Sequence, residues 1–478
     1  MTEPCDLSAV EARRLIGTKQ LSPVELLDSC LARIAATNPR LNALVAIDEK
    51  GAREAAKDAE RHIMAGAPIG LLHGLPLAIK DLQATEGLRT TYGSLIYKDN
   101  IPTADEASIA NLRDEGAIIL AKSNTPEFGA GANTTNKVYG PTGNPFDPSL
   151  TCAGSSGGSA VALAVGQVPL ATGSDYGGSL RTPAAFCGVT GFRPSPGLVP
   201  GTERSTSITP FSVNGPMGRT VADMHLLLRS QLDVDKRDPF SSSDVNQIPQ
   251  MLETIDLGSV RAAISADLGC APIDNDIRRI FADRVAGFRS VFAETADRDP
   301  DLGDAVHDVF EIIRGIYFVG AHKERLEKHR DLLGPNVIDN TERGLKFTAS
   351  DVAWANVEQT KLYKRFLAFF EDHDVLICPT ASVSPFPHSQ RYVDTINGEK
   401  MPTYMRWLAI TYGLTMAVPC AVALPCGVDH KGLPFGIQVV GPNGSDALVL
   451  EVAYALEQVL AANAATRRPV PDLAKLVG

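Results

Sequence analysis

The segment TGSDYGGSLRTP, residues 172–183, places Ser179 directly after a glycine pair, with Asp175 four residues before it and Arg181 two after. A serine hydroxyl is a weak nucleophile at neutral pH and attacks an acyl group only when a base takes its proton. A lysine can be that base if burial penalises its ammonium form and leaves it neutral. Lys80 closes the apolar run GLPLAIKD (74–81), which reads as a buried strand. Cleaving an acyl bond also creates an oxyanion, and N–H donors must already be aimed at it. Glycine accepts positive φ, so the amides of Tyr176, Gly177, Gly178 and Ser179 can turn toward one point. A helix beginning near TPAAF adds a favourable N-terminal dipole. Asp175 and Arg181 read either as a pair bracing this loop or as an exposed ion pair of little worth.

Other stretches carry competing chemistry. GSSGG (154–158) matches a nucleophile elbow centred on Ser156, which would need a downstream acid and a histidine such as His373, His388 or His430. The preceding NPFDPSLTCA makes a poor strand, which argues against that reading. GAIILAKS (116–123) resembles a phosphate-binding loop, but Ala121 stands at the second glycine position and the segment reads as a strand. His322 and His329, seven apart on a charged helix without an HExxH pattern, read as solvated surface residues. The eight cysteines show no CxxC and no metal-ligand spacing, so they read as reduced, buried thiols of a cytoplasmic protein, and no metal is expected.

The elements that must position these residues follow from the pattern. The chain has 478 residues, 44% of them hydrophobic and 21% charged, enough for a large core. Its net charge of -11 argues against a nucleic-acid partner. The N-terminus has no secretory signal pattern. Residues 407–428 are uncharged, but Gly413, Pro419 and Pro425 break them into a helix and strands of a core rather than a membrane span. Ser22, Pro23 and Glu25 form a capping box, and Asn38-Pro39 should end that helix. Helix and strand then alternate, predicting an α/β sheet. Residues 154–179 hold seven glycines and five serines, yet AVALAVG within them predicts a helix rather than a linker. We read one large domain over 1–478: N-terminal helices (1–65), a catalytic core (66–219), a variable, mainly helical insertion (220–370), and returning core strands with a C-terminal helix (371–478).

GSSGGSAVALAVGQVPLATGSDYGGSLRTPAAFCGVTGFRPS resembles the signature sequence of the amidase signature family. GLPLAIKD, AKSNTPEFG, GPTGNPFDPSLT, NGPMGRTVAD, LICPTA and GLPFGIQVVGP are similar to the family in order and spacing, over about residues 7–460 and most weakly at about 235–370. The resemblance implies a mixed, mostly parallel-type central sheet covered by helices on both faces. It implies a Ser–cis-Ser–Lys triad with Ser179 as nucleophile, Ser155 as the bridging serine after a cis peptide bond, and Lys80 as base. Ser156, Asp175 and Arg181 would support it. The channel beside EFGAG would bind substrate through Gly129, Gly131, Ser155 and Tyr176; Gly129, Ala130 and Gly131 stand where some relatives carry larger side chains, implying a roomier acyl pocket. Tyr176 stands where relatives often have a small residue, and Ser174 where threonine is frequent. No cofactor is implied; the partners are a small-molecule amide and water, with a homodimer common among relatives. The implied activity is amide hydrolysis, with aryl amides, carbamates and esters within reach of the same machinery. A second reading is the glutaminase component of a tRNA-dependent amidotransferase, which works only with partner subunits. A third, a binding paralogue without catalysis, is opposed by the three filled triad positions.

Overall fold

Local rules set the first elements. Val24 N–H donates to Ser22 Oγ and Ser22 N–H to Glu25, so the capping box starts the helix Pro23–Leu41. This helix runs three residues past the expected stop at Asn38-Pro39. Pro39 falls in the last turn, and Asn42 ends the helix in the left-handed conformation at φ 51°. Asn38 Oδ1 then accepts from the amides of Ala43 and Leu44.

The computed structural model describes residues 3–204, 206, 208–241 and 243–477. Its strands are β1 (Leu44–Val45), β2 (Pro76–Lys80), β3 (Ile118–Ser123), β4 (Thr135–Asn136), β5 (Gly140–Pro141), β6 (Leu170–Asp175), β7 (Thr190–Arg193), β8 (Val213–Gly218), β9 (Arg261–Ile264), β10 (Glu294–Asp297), β11 (Val375–Pro379), β12 (Thr395–Ile396), β13 (Glu399–Lys400), β14 (Cys420–Val428) and β15 (Pro434–Gly441). Eleven of them form one sheet in the order β1-β3-β2-β6-β8-β7-β14-β15-β11-β9-β10. The sheet is mixed, as expected, but antiparallel pairings outnumber parallel ones, which corrects the expectation of a mostly parallel sheet; helices flank it. Its parallel pairings are confined to β3–β2–β6 and β11–β9–β10, while the middle is antiparallel. The short turn between β14 and β15 is one reason, since so brief a connection returns the chain antiparallel. The 220–370 region is mainly helical, but it also supplies β9 and β10 at the sheet edge, and β9 pairs with the returning strand β11.

The apolar strands β2, β3 and β11 are buried throughout, and β14 and β15 are buried over nearly all their length. The uncharged 407–428 stretch folds as the helix Ala409–Thr415 and β14. Among the described residues no helix is long and apolar enough to cross a membrane. The long helix Val306–His329 packs against the helix Ala409–Thr415 through Phe310, which stacks on Tyr412 with ring centroids 3.9 Å apart. Phe310 is fully buried. Replacing it with alanine removes the stack and leaves a cavity, so Phe310→Ala should lower the unfolding free energy by about 3–5 kcal/mol. The measurement is the urea midpoint at unchanged denaturant slope.

Candidate active site

β2 and β6 are parallel neighbours, with Ala78 paired to Ala171. Their carboxyl ends therefore emerge on the same side of the sheet, where open α/β sheets hold ligands. Lys80 ends β2, Ser174 and Asp175 end β6, and Lys80 N–H is pinned to Thr172 Oγ1 at 3.0 Å. The helix Gly157–Ala164 packs against both strands and starts at Ser156. Ser155 and Ser156 are thereby brought over the two strand ends.

Lys80 is fully buried. Its Nζ lies 2.7 Å from Ser155 Oγ, 2.9 Å from Ser156 Oγ, 2.9 Å from Ser174 Oγ and 3.3 Å from the Ser174 carbonyl. All these partners are neutral. Burial brings the Lys80 pKa down to about 7, against the opposing charge of Asp175. The Gly154–Ser155 peptide is cis. Ser156 ties the parts together: its hydroxyl accepts from Ser174 N–H and its own N–H donates to the Ser179 carbonyl at 3.2 Å. Ser155, Ser174, Tyr176 and Ser179 line one cavity of about 270 Å³. Among the described residues no hydrogen bond is made to the Ser179 hydroxyl, which is partly buried and faces that cavity.

The Asp175–Arg181 pair is a buried brace. Asp175 accepts from Arg181 at 3.0 Å and from Arg193 at 3.2 Å, with all three side chains excluded from solvent. Burial opposes its ionisation, but the two guanidinium groups outweigh it and hold the carboxyl well below its usual range. The same carboxylate accepts from the amides of Gly178 (2.8 Å) and Leu180 (3.1 Å). This corrects one expectation: the Gly178 N–H serves Asp175 and is not free as an oxyanion donor. The amides of Tyr176, Gly177 and Ser179 make no backbone hydrogen bond among the described residues. Gly178 is required for shape instead. Its φ is +120°, and a Cβ there would sit 2.3 Å from Thr411 Oγ1.

The other expected substrate contacts divide. Gly129 lines the cavity, but an added Cβ would stand 3.3 Å from Ser155 Oγ and 3.0 Å from Leu82, so it permits a close approach rather than adding room. Gly131 does not line the cavity; its Cα faces the Asn336 side chain, where a Cβ would come within 2.5 Å. The Tyr176 ring lines the cavity and contacts Tyr317 at 5.3 Å between centroids. Its hydroxyl is buried without a hydrogen-bond partner in the described structure.

The largest omission from the sequence reading is the wall made by the Val306–His329 helix. Arg314, Tyr317, Phe318, Ala321, His322 and Arg325 recur at three- and four-residue spacing and face the cavity. His322 is buried rather than solvated. Burial, then the charges of Arg325 and Arg314, push its pKa down to about 3 and keep it neutral. Glu106 also lines the cavity; burial pushes it up to about 7, and Asn214 donates to its carboxyl. Lys122, part of the dismissed phosphate-loop lookalike, is a buried brace that donates to Thr85 Oγ1 at 2.8 Å. Among the described residues no group of three or more His, Cys, Asp or Glu is placed to hold a metal ion.

Comparison with known proteins makes this framework, a buried lysine among serines at strand ends, that of a hydrolase acting on amide carbon–nitrogen bonds. Known proteins show the lineage. The family model described as Amidase matches residues 25–450, and the chain belongs to that family. The chain is 33% identical over 457 residues to an acylamidase of Rhodococcus erythropolis, covering 95% of each chain. It is also 32% identical over 485 residues to a glutamyl-tRNA(Gln) amidotransferase component from Acidothermus cellulolyticus, covering 94% of each. Among solved structures, a bacterial aryl acylamidase of the amidase signature family superposes with a TM-score of 0.87 at 27% identity, covering 95% of this chain and 96% of that one.

Removing Asp175 would leave two buried guanidinium groups without their counter-charge and two loop amides without acceptors. Asp175→Ala should therefore cost about 3–5 kcal/mol of stability. Chemical denaturation of the purified variant checks this, and a loss under about 1 kcal/mol would refute the brace.

Proposed function

We propose that this amidase works through an acyl-enzyme on Ser179, with Ser155 as the proton relay and Lys80 as the base. The observation that carries the reading is the contact between a fully buried Lys80 Nζ and Ser155 Oγ at 2.7 Å, with only neutral groups around the nitrogen. A neutral amine has a lone pair to accept the Ser155 proton. Ser155 takes the Ser179 proton as the Ser179 Oγ attacks the substrate carbonyl carbon. The resulting oxyanion meets the free amides of Tyr176, Gly177 and Ser179. Lys80 and Ser155 then return the proton to the leaving amine, the C–N bond breaks, and water hydrolyses the acyl ester by the same relay. The aromatic cavity wall supports aryl or other apolar amides as substrates, in keeping with the acylamidase relatives. Free cysteines throughout, seven of the eight buried, support a reducing, cytoplasmic setting.

A second reading follows from the amidotransferase relatives: a glutaminase that depends on partner subunits. Turnover of a simple aryl amide by the purified chain alone separates the two.

Two outcomes are expected. A fluorophosphonate should add one label by intact mass to the wild type and none to Ser179→Ala; equal labelling removes Ser179 as nucleophile. Catalysis needs the unprotonated lysine, so kcat/KM should rise with pH and reach half its plateau near the Lys80 pKa of about 7. A rate that falls from about pH 6 to about pH 8 contradicts a lysine base.

A further inference from the structure

The cavity wall contributed by the Val306–His329 helix carries two arginines and no carboxylate. Arg314 is 6% exposed. Its guanidinium donates to Asn340 Oδ1 and Tyr404 Oη, both at 3.1 Å and both neutral. It lies 4.7 Å from the Phe318 ring centroid and 5.5 Å from that of Tyr176. Arg325 donates to Tyr97 Oη and lies 5.2 Å from the Phe128 ring centroid. Among the described residues neither arginine forms an ion pair. Other arginines near the site do: the buried Arg181 and Arg193 share Asp175, and the partly buried Arg204, which lines the same cavity, holds Asp238.

A buried cation is costly unless a counter-charge and hydrogen bonds compensate it. Neutral acceptors and ring faces compensate Arg314 in part. Arg314 also lines a second cavity, of about 460 Å³, with Glu311, Asp339 and Glu342, but these pair with Arg406, Arg343 and Arg330, so the missing component is an anion that enters from the serine cavity. The acids of that cavity do not fill the role: Glu106 is engaged with Asn214, and Glu203 is exposed.

Resting on the amide-hydrolase reading of the same site, we propose that the substrate carries an aromatic ring and a carboxylate besides its scissile amide. The ring lies among Phe128, Tyr176, Tyr317 and Phe318. The carboxylate pairs with Arg314. Arg325, eleven residues or about three turns further along the helix, adds positive potential that draws anions in.

The test uses two matched pairs: 4-carbamoylbenzoate against its methyl ester, with the anion on the acyl side, and 4-acetamidobenzoate against its methyl ester, with the anion on the amine side. Calorimetric binding is measured on Ser179→Ala, and turnover on the wild type. In at least one pair the acid should bind about tenfold or more tighter than the ester. Adding Arg314→Gln to Ser179→Ala should reduce that preference to about twofold or less, with ester binding kept, whereas adding Arg314→Lys should retain most of it. Equal binding of acid and ester in both pairs overturns the proposal, as does a preference that survives Arg314→Gln. Acid-selective binding without turnover of any substrate would leave the anion site standing and remove the hydrolase mechanism, so the two failures are distinguishable.

Discussion

The site depends on bringing one interior lysine down to a pKa of about 7, far below that of a solvated ammonium. Water stabilises an ammonium ion strongly, and a buried one keeps its proton only if anions replace that water. Around Lys80 Nζ the structure supplies three hydroxyls and a carbonyl. The anion that opposes the lowered pKa is Asp175, at the end of the adjacent strand. Left alone, that carboxylate would favour the ammonium. Arg181 and Arg193 take up its charge, so the ion triad is electrostatic as well as mechanical. It also engages the Gly178 and Leu180 amides, while those of Tyr176, Gly177 and Ser179 make no backbone hydrogen bond among the described residues.

Strand direction does the rest of the positioning. Because β2 and β6 are parallel, Lys80 and the loop that follows β6 emerge together. The Gly157–Ala164 helix then delivers Ser155 and Ser156 onto both strand ends. Ser156 sits where an elbow nucleophile would sit, yet its bonds go to Lys80, Ser174 and the Ser179 backbone. It is a joint between segments. The signature stretch is therefore rich in small residues because helix, strand and loop approach closely there; a Cβ on Gly173 would stand 2.9 Å from Ser156 Oγ.

The cavity is closed from a different part of the chain. The Val306–His329 helix lies far along the chain from the signature stretch, and it brings rings and arginines over the serines and the lysine. The cavity wall and the serine–lysine cluster thus come from separate segments. Burial first, and the charges of Arg325 and Arg314 after it, keep His322 neutral.

What the sequence determined was chiefly local and ordered along the chain: Lys80 at the end of an apolar strand, the serines of GSSGG, the glycine-flanked Ser179, the capping box at Ser22, and the family likeness that joined them. Spacing and residue type carry that information directly. Tertiary structure decided what depends on distant partners. It chose the buried brace over the exposed pair for Asp175 and Arg181, because Arg193 and Gln438 come from other strands, Gln438 from one far away in the chain. It took Gly178 out of the oxyanion donors, turned Gly131 toward Asn336, and buried His322 beneath two arginines. It also drew β9 and β10 into the sheet edge from a region that reads as helices, since a four-residue strand carries too little periodicity to be seen before its neighbours are known. Burial and pairing are properties of the assembled chain, and the lowered pKa of Lys80 follows from them.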